Sequence, residues 1–241
     1  MKEKQVFFNP FRMISPKLDT EASRLSALFE TPPEEVTCLE EGLLVMCSKL
    51  IEMTQLIYKT LIIADPEKVK KCEQLGDEIH REEKGLTGDL VCSPATTGEV
   101  LKAVILFPGR LERTGDLLES ILNVAQIKAR EGIPFSDKAN EELSRLFGLT
   151  IETLENFRKV LAHRDPNILH QLMENHEQLG QMTVDFAMAH EDRLIEGLCS
   201  PKASSLYLDI LDSVKNANQH IRSMTESLLK IADSQKVAAT N

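Results

Sequence analysis

The sequence predicts an all-α protein: a tandem repeat of two antiparallel three-helix bundles, six main helices, behind an N-terminal arm. Three observations predict it. Trp is absent, Tyr occurs twice, and there are only 11 Gly and 10 Pro in 241 residues, whereas sheets draw on aromatic and β-branched residues and need frequent turns. Apolar residues recur at steps of three and four over long stretches, the period of an amphipathic helix. Three phrases also return in the same order. Asp65-Pro66 returns as Asp165-Pro166, Glu73-Gln74-Leu75-Gly76 as Glu177-Gln178-Leu179-Gly180, and Cys92-Ser93-Pro94 as Cys199-Ser200-Pro201, at offsets of 100, 104 and 107. Drift of three or four residues is about one helical turn, which keeps the inward face inward. A repeating unit of roughly 100 residues follows.

Residues 1–34 read as an irregular arm rich in Phe7, Phe8 and Phe11, then a short helix with Leu25, Leu28 and Phe29. The first bundle covers 35–132. Its first helix carries Leu43, Met46, Cys47, Leu50, Met53, Ile57 and Leu61 and stops at Asp65-Pro66, because Pro disfavours the α region in the residue before it and suits the first turn of a new helix. The second helix runs from Pro66 to about Leu90 on Val69, Cys72, Leu75, Ile79 and Leu86. The third runs from about Thr97 through Val100, Val104, Phe107, Leu111, Thr114, Leu118, Ile121 and Ala125 to Arg130-Glu131-Gly132, with Pro108 expected to kink or split it.

The second bundle, 137–235, repeats the plan. Its stripes are Leu143, Phe147, Thr150, Leu154, Phe157 and Leu161; then Leu169, Leu172, His176, Leu179, Met182 and Phe186; then Ile210, Val214, Ala217, Ile221, Met224 and Leu228. Residues 200–205, Ser-Pro-Lys-Ala-Ser-Ser, offer caps ahead of the last helix. Short connections favour antiparallel neighbours, hence two bundles.

Composition excludes several functions. Acidic residues number 38 against 28 basic ones, so a phosphate backbone is repelled and nucleic-acid binding is not expected. Cys38, Cys47, Cys72, Cys92 and Cys199 are odd in number and never form a Cys-x-x-Cys pair, which fits reduced thiols in a cytoplasm. The first residues lack the apolar core of a secretory signal. The longest apolar runs, 43–47 and 103–107, fall far short of the ~20 residues of a membrane span.

Chemistry is most visible in two acidic pairs four residues apart, Glu73 with Asp77 and Glu112 with Asp116, the latter extended by Glu119. Two readings stay open. Like charges at this spacing repel by only a few tenths of a kcal/mol on a wet surface, so the pairs could be solvated faces. Carboxylates on adjacent antiparallel helices could equally supply hard oxygen ligands to a cation from both sides of a groove. His80 lies one turn beyond Asp77 and could add a nitrogen ligand. In the second repeat Glu177 is followed by Gln181, with Asp185 a turn further on, and Lys215 and Gln219 stand where Glu112 and Asp116 do. A metal site is therefore expected in the first bundle alone.

No catalytic constellation is present. A di-iron bundle needs two Glu-x-x-His sequences, and the chain offers a single Asp77-x-x-His80. Phosphate-cradling glycine loops, the nucleophile-elbow pattern and His-Glu-x-x-His are all missing. The cysteines sit mostly at apolar helix positions, as structural thiols do, and Arg110 and Arg113 balance Glu112 on one helix. The chain is not expected to be an enzyme.

Leu111-Glu112-Arg113-Thr114-Gly115-Asp116 resembles the Leu-Glu-Arg-Ile-Gly-Asp motif of PhoU proteins, and the duplicated three-helix plan from about residue 35 resembles the PhoU domain. The stretch 190–220, with His190-x-x-Arg193-Leu194 and a terminal His220, is similar to the PhoU-like tail of bacterial sodium/phosphate cotransporters. The resemblance implies a cytoplasmic regulator of phosphate uptake that contacts a phosphate transporter or its sensor kinase at the membrane. It also implies clustered iron or zinc ions at the Glu-x-x-x-Asp signatures, which here fall on Glu112 and Asp116 and, by the same spacing, on Glu73 and Asp77. Leu117 stands where the family motif usually continues with His. Besides a contact-based regulator, a metal-binding module whose occupancy is the signal and a homodimerisation scaffold remain open.

Overall fold

A computed structural model describes residues 34–92, 105–163 and 166–239, with side chains described for 39–88, 105–163 and 167–229. The expected arm, apart from Glu34, and residues 97–104 of the expected third helix lie outside the described residues. Six helices run in order: α1 Glu34–Ile62, α2 Pro66–Cys92, α3 Phe107–Glu131, α4 Asp137–His163, α5 Pro166–Ile195 and α6 Pro201–Ala239. Among the described residues there is no strand.

Local chemistry sets the ends. Asp65 Oδ1 accepts the backbone N–H groups of Glu67 (3.0 Å) and Lys68 (3.4 Å), capping α2 just ahead of Pro66. Ser136 and Ser200 cap α4 and α6 alike, each Oγ accepting the N–H three residues on, at 3.2 Å. Gly132 (φ 61°) and Gly197 (φ 72°) adopt the left-handed conformation after α3 and α5. The residue beyond each, Ile133 and Leu198, donates its N–H back to Lys128 and Arg193 respectively, the double closure typical of glycine-ended helices. Two expectations shift. Pro108 does not kink α3: it occupies the first turn of that helix, which starts at Phe107 after Leu106, where its missing N–H costs nothing. Residues 201–205, expected ahead of the last helix, are already inside it, and Ser200 alone does the capping.

The helices pack as two trios. α2 lies against α1 and α3, and α1 against α3; α5 lies against α4 and α6, and α4 against α6. The trios join through two seams, α1 on α4 and α3 on α6, the latter the most extensive pairing of all. First helix meets first and third meets third, as a pseudo-twofold relation between copies requires. Tyr58 stacks on Phe147 across one seam, with centroids 5.3 Å apart. Lys202 binds Glu131 at 3.1 Å across the other. Every stripe position named from the sequence within the described residues is buried, except Val69, Leu86 and Met182, which are partly so. The Leu, Ile, Val, Phe, Met and Cys side chains among them form one continuous core running through both trios.

Candidate functional site: a carboxylate groove on the first trio

The antiparallel pair α2 and α3 presents a shallow groove. Glu73, Asp77 and Asp116 are exposed, and Glu112 and Glu119 are half-buried. Partial burial holds the Glu119 carboxyl above its ordinary pKa, and the charges of Asp116, Asp77, Glu112 and Glu73 add to the effect. All four carboxylates expected from the sequence therefore lie close enough to act on a fifth, Glu119. Gly76 makes the arrangement possible: a Cβ there would lie 1.9 Å from Glu119 Oε1, so the glycine leaves space for the carboxyl to lie across α2. His80 Nδ1 sits 3.1 Å from Glu112 Oε1. Beyond Glu73 the groove opens into a cavity of about 300 Å³ between the α1–α2 turn and α3, lined by Thr60, Val69, Lys70, Ala125 and Gln126.

Chemically this is a hard-oxygen surface of one sign, matched to a cation in charge and donor type. In the conformation described, no three acidic, imidazole or thiol side chains gather tightly enough to hold a metal ion among the described residues. The carboxylates are strung along the groove. Arg110 and Arg113 also face α6, where, after burial, their charges lower the His220 pKa.

The matching face of the second trio mixes both signs. Adding 103 to Glu119 gives Arg222, and Arg222 reaches across to Glu177, the counterpart of Glu73, at 3.1 Å. Gln181 donates to Asp185 at 2.8 Å. Where the first repeat collects like charges, the second pairs opposite ones.

A buried polar cluster at the other end of the second trio went unforeseen. Glu142 on α4, 3% exposed, accepts both guanidinium nitrogens of Arg193 on α5 (2.9 and 2.6 Å) and the Tyr207 hydroxyl of α6 (2.5 Å). His190 stacks on Tyr207 and bonds Ser204 Oγ at 2.6 Å. Burial and the bond to Glu142 push the Tyr207 pKa upward, while Arg193 is held further toward its charged form by the same carboxylate. The His-x-x-Arg of 190–193 is thus a clasp between three helices. Glu142 falls in the same helical stripe as Ala139 and Leu146, and a carboxylate there signals a buried partner.

The architecture defines a class: a duplicated three-helix unit with an acidic face on one copy. Comparison with solved structures sharpens this to a PhoU-like fold. The chain is similar to the phosphate transport system regulatory protein PhoU from Streptococcus pneumoniae, with TM-score 0.69 and 15% identity over 89% of this chain and 96% of that one. It is also similar to PhoU from Pseudomonas aeruginosa, with TM-score 0.73 and 15% identity over 83% of this chain and 98% of that one. At the level of sequence, no protein-family model and no curated protein matches.

Proposed function

We propose that this protein regulates phosphate uptake or phosphate signalling, acting by contact with a phosphate transporter or its sensor kinase rather than by turnover. The observation that carries the reading is the fold: the duplicated trio superimposes on PhoU structures over most of its length, and the Leu-Glu-Arg-Thr-Gly-Asp segment brings Glu112 and Asp116 to the acidic face that α3 shares with α2. No helix among the described residues is long and apolar enough to cross a membrane, so a membrane protein would be met from its aqueous face. A net charge of −10 suits the Lys- and Arg-rich cytoplasmic loops of such proteins. The test is deletion followed by measured phosphate uptake in replete and limiting medium, with restoration from a plasmid copy. Unchanged uptake in both media removes the proposal.

The four carboxylates whose charges act on Glu119 support a second reading, in which the groove takes up iron or zinc and occupancy is the signal. A cation would relieve the mutual repulsion, with Glu73, Asp77, Glu112 and Asp116 as ligands. Elemental analysis of chelator-free protein, beside Glu112→Ala/Asp116→Ala, decides it: equal metal content in both would exclude this site.

A further inference from the structure

The second trio carries a feature that neither the acidic groove nor the clasp explains. Between α5 and α6 lies a groove of about 170 Å³ whose walls include Val184, Ala187, Met188, Leu208 and Leu211. That volume is close to the ~150 Å³ that accommodates a benzene ring in a protein cavity. Val184 is 44% and Met188 62% exposed, so apolar surface lies open on a helix that does not pack extensively outside its own trio. The rim is acidic: Glu191 and Asp212 line it, Asp209 is exposed one turn from Asp212, and Lys215 is the lining cation.

The repeat shows that the fold does not require apolar residues here. Subtracting 104 on α5 and 103 on α6 maps Val184 to His80, Met188 to Lys84 and Lys215 to Glu112. In the first trio these positions are polar, and His80 bonds Glu112. At two of these positions, Val184 and Met188, one copy alone carries an apolar residue where the other is polar, at a place where solvent makes apolar exposure unfavourable.

We propose that this α5–α6 groove docks a partner protein through one bulky apolar side chain projecting from a cationic helical segment. The cavity takes the side chain, Met188 supplies a flexible, polarisable wall, and Glu191, Asp212 and Asp209 meet the flanking positive charges. The inference stands apart from the phosphate reading, since it fixes the chemistry of the contact and not the pathway that the partner serves.

The chain has no Trp, so a synthetic amphipathic peptide with one Trp on its apolar face and lysines on its flanks reports its own burial by fluorescence. Saturable blue-shifted binding is expected. It should weaken about tenfold or more in Met188→Lys and in Val184→Lys, as loss of one anchoring contact does. It should persist in Asp77→Asn/Glu112→Gln and vanish when the peptide lysines become glutamates. Both apolar positions are exposed, so the variants are expected to fold, which circular dichroism checks. No binding, equal binding to Met188→Lys, or equal binding of the anionic peptide overturns the proposal. So does a dimer in light scattering that Met188→Lys dissociates, because the groove would then be covered by a second copy. Failure on any of these counts leaves the uptake test untouched.

Discussion

His176 makes acid lability a measurable property of the second trio. It stands in the apolar stripe of α5 at 1% exposure, with Nδ1 2.6 Å from Asn218 Oδ1 and Nε2 3.3 Å from Thr225 Oγ1. Burial pushes its pKa from 6.5 down to about 4; Arg222 acts in the same direction, while the bond to Asn218 and the charge of Glu226 oppose it. A depressed histidine pKa fixes the sign. Above the unfolded value neither state binds the proton and the residue contributes nothing. As pH falls through 6.5 the unfolded chain takes up the proton first, and stability drains away until the folded protein titrates near 4. The separation of the two pKa values corresponds to about 3 kcal/mol in total and about 2 kcal/mol by roughly pH 5. The assay is urea unfolding followed by circular dichroism at stepped pH, beside His176→Gln, which keeps a polar contact to Asn218 and cannot titrate. The wild type should lose about 2 kcal/mol more than the variant between roughly pH 7 and 5. Parallel losses in the two proteins would refute the assignment of acid sensitivity to this side chain.

Other perturbations follow from the same geometry. Glu142→Ala strands Arg193 and the Tyr207 hydroxyl inside the clasp and should cost about 3–5 kcal/mol in denaturant unfolding, the usual loss for half of a buried ion pair. Phe147→Ala removes a fully buried ring from the α1–α4 seam and should also cost about 3–5 kcal/mol, lowering the unfolding midpoint of the molecule as one transition. Glu119→Gln should raise the thermal midpoint at neutral pH and low salt. The carboxylate's raised pKa means that its ionised form opposes folding, so the gain should fade in high salt and as pH falls through the carboxylate range. Burial pushes the Cys47 and Cys72 thiols up to about 12 and about 11, so both should resist alkylation in the folded protein. Mass mapping after iodoacetamide checks this against the half-buried Cys199.

The parts legible in the sequence are those fixed by neighbours along the chain. Asp65-Pro66 announced both the end of one helix and the first turn of the next, and the three-four rhythm from Leu43 to Leu61 marked the buried side of α1. The start of α3 was not legible in the same way. Apolar periodicity runs through Pro108 without a break, and the rhythm reports a face, not the residue at which hydrogen bonding begins. Within the groove, spacing alone brought Glu73, Asp77, Glu112 and Asp116 to one surface, because antiparallel helices place such pairs opposite one another. The role of Gly76 in admitting Glu119 depends on two helices meeting, which no local pattern encodes. The clasp was hidden for a similar reason: Glu142 finds Arg193 and Tyr207 at separations of 51 and 65 residues. The change from Glu119 to Arg222 was readable, since the repeat offset pairs them before any coordinates do.

Because the two trios are welded through α1–α4 and α3–α6, those four rods form a spine, and α2 and α5 are left as outriggers on opposite halves. The acid groove leans on one outrigger and the greasy one on the other. Each outer rod rests on two members of the spine, α2 on α1 and α3, α5 on α4 and α6, so each flank is one helix away from a seam. The two flanks are therefore joined through rods that belong to both halves at once.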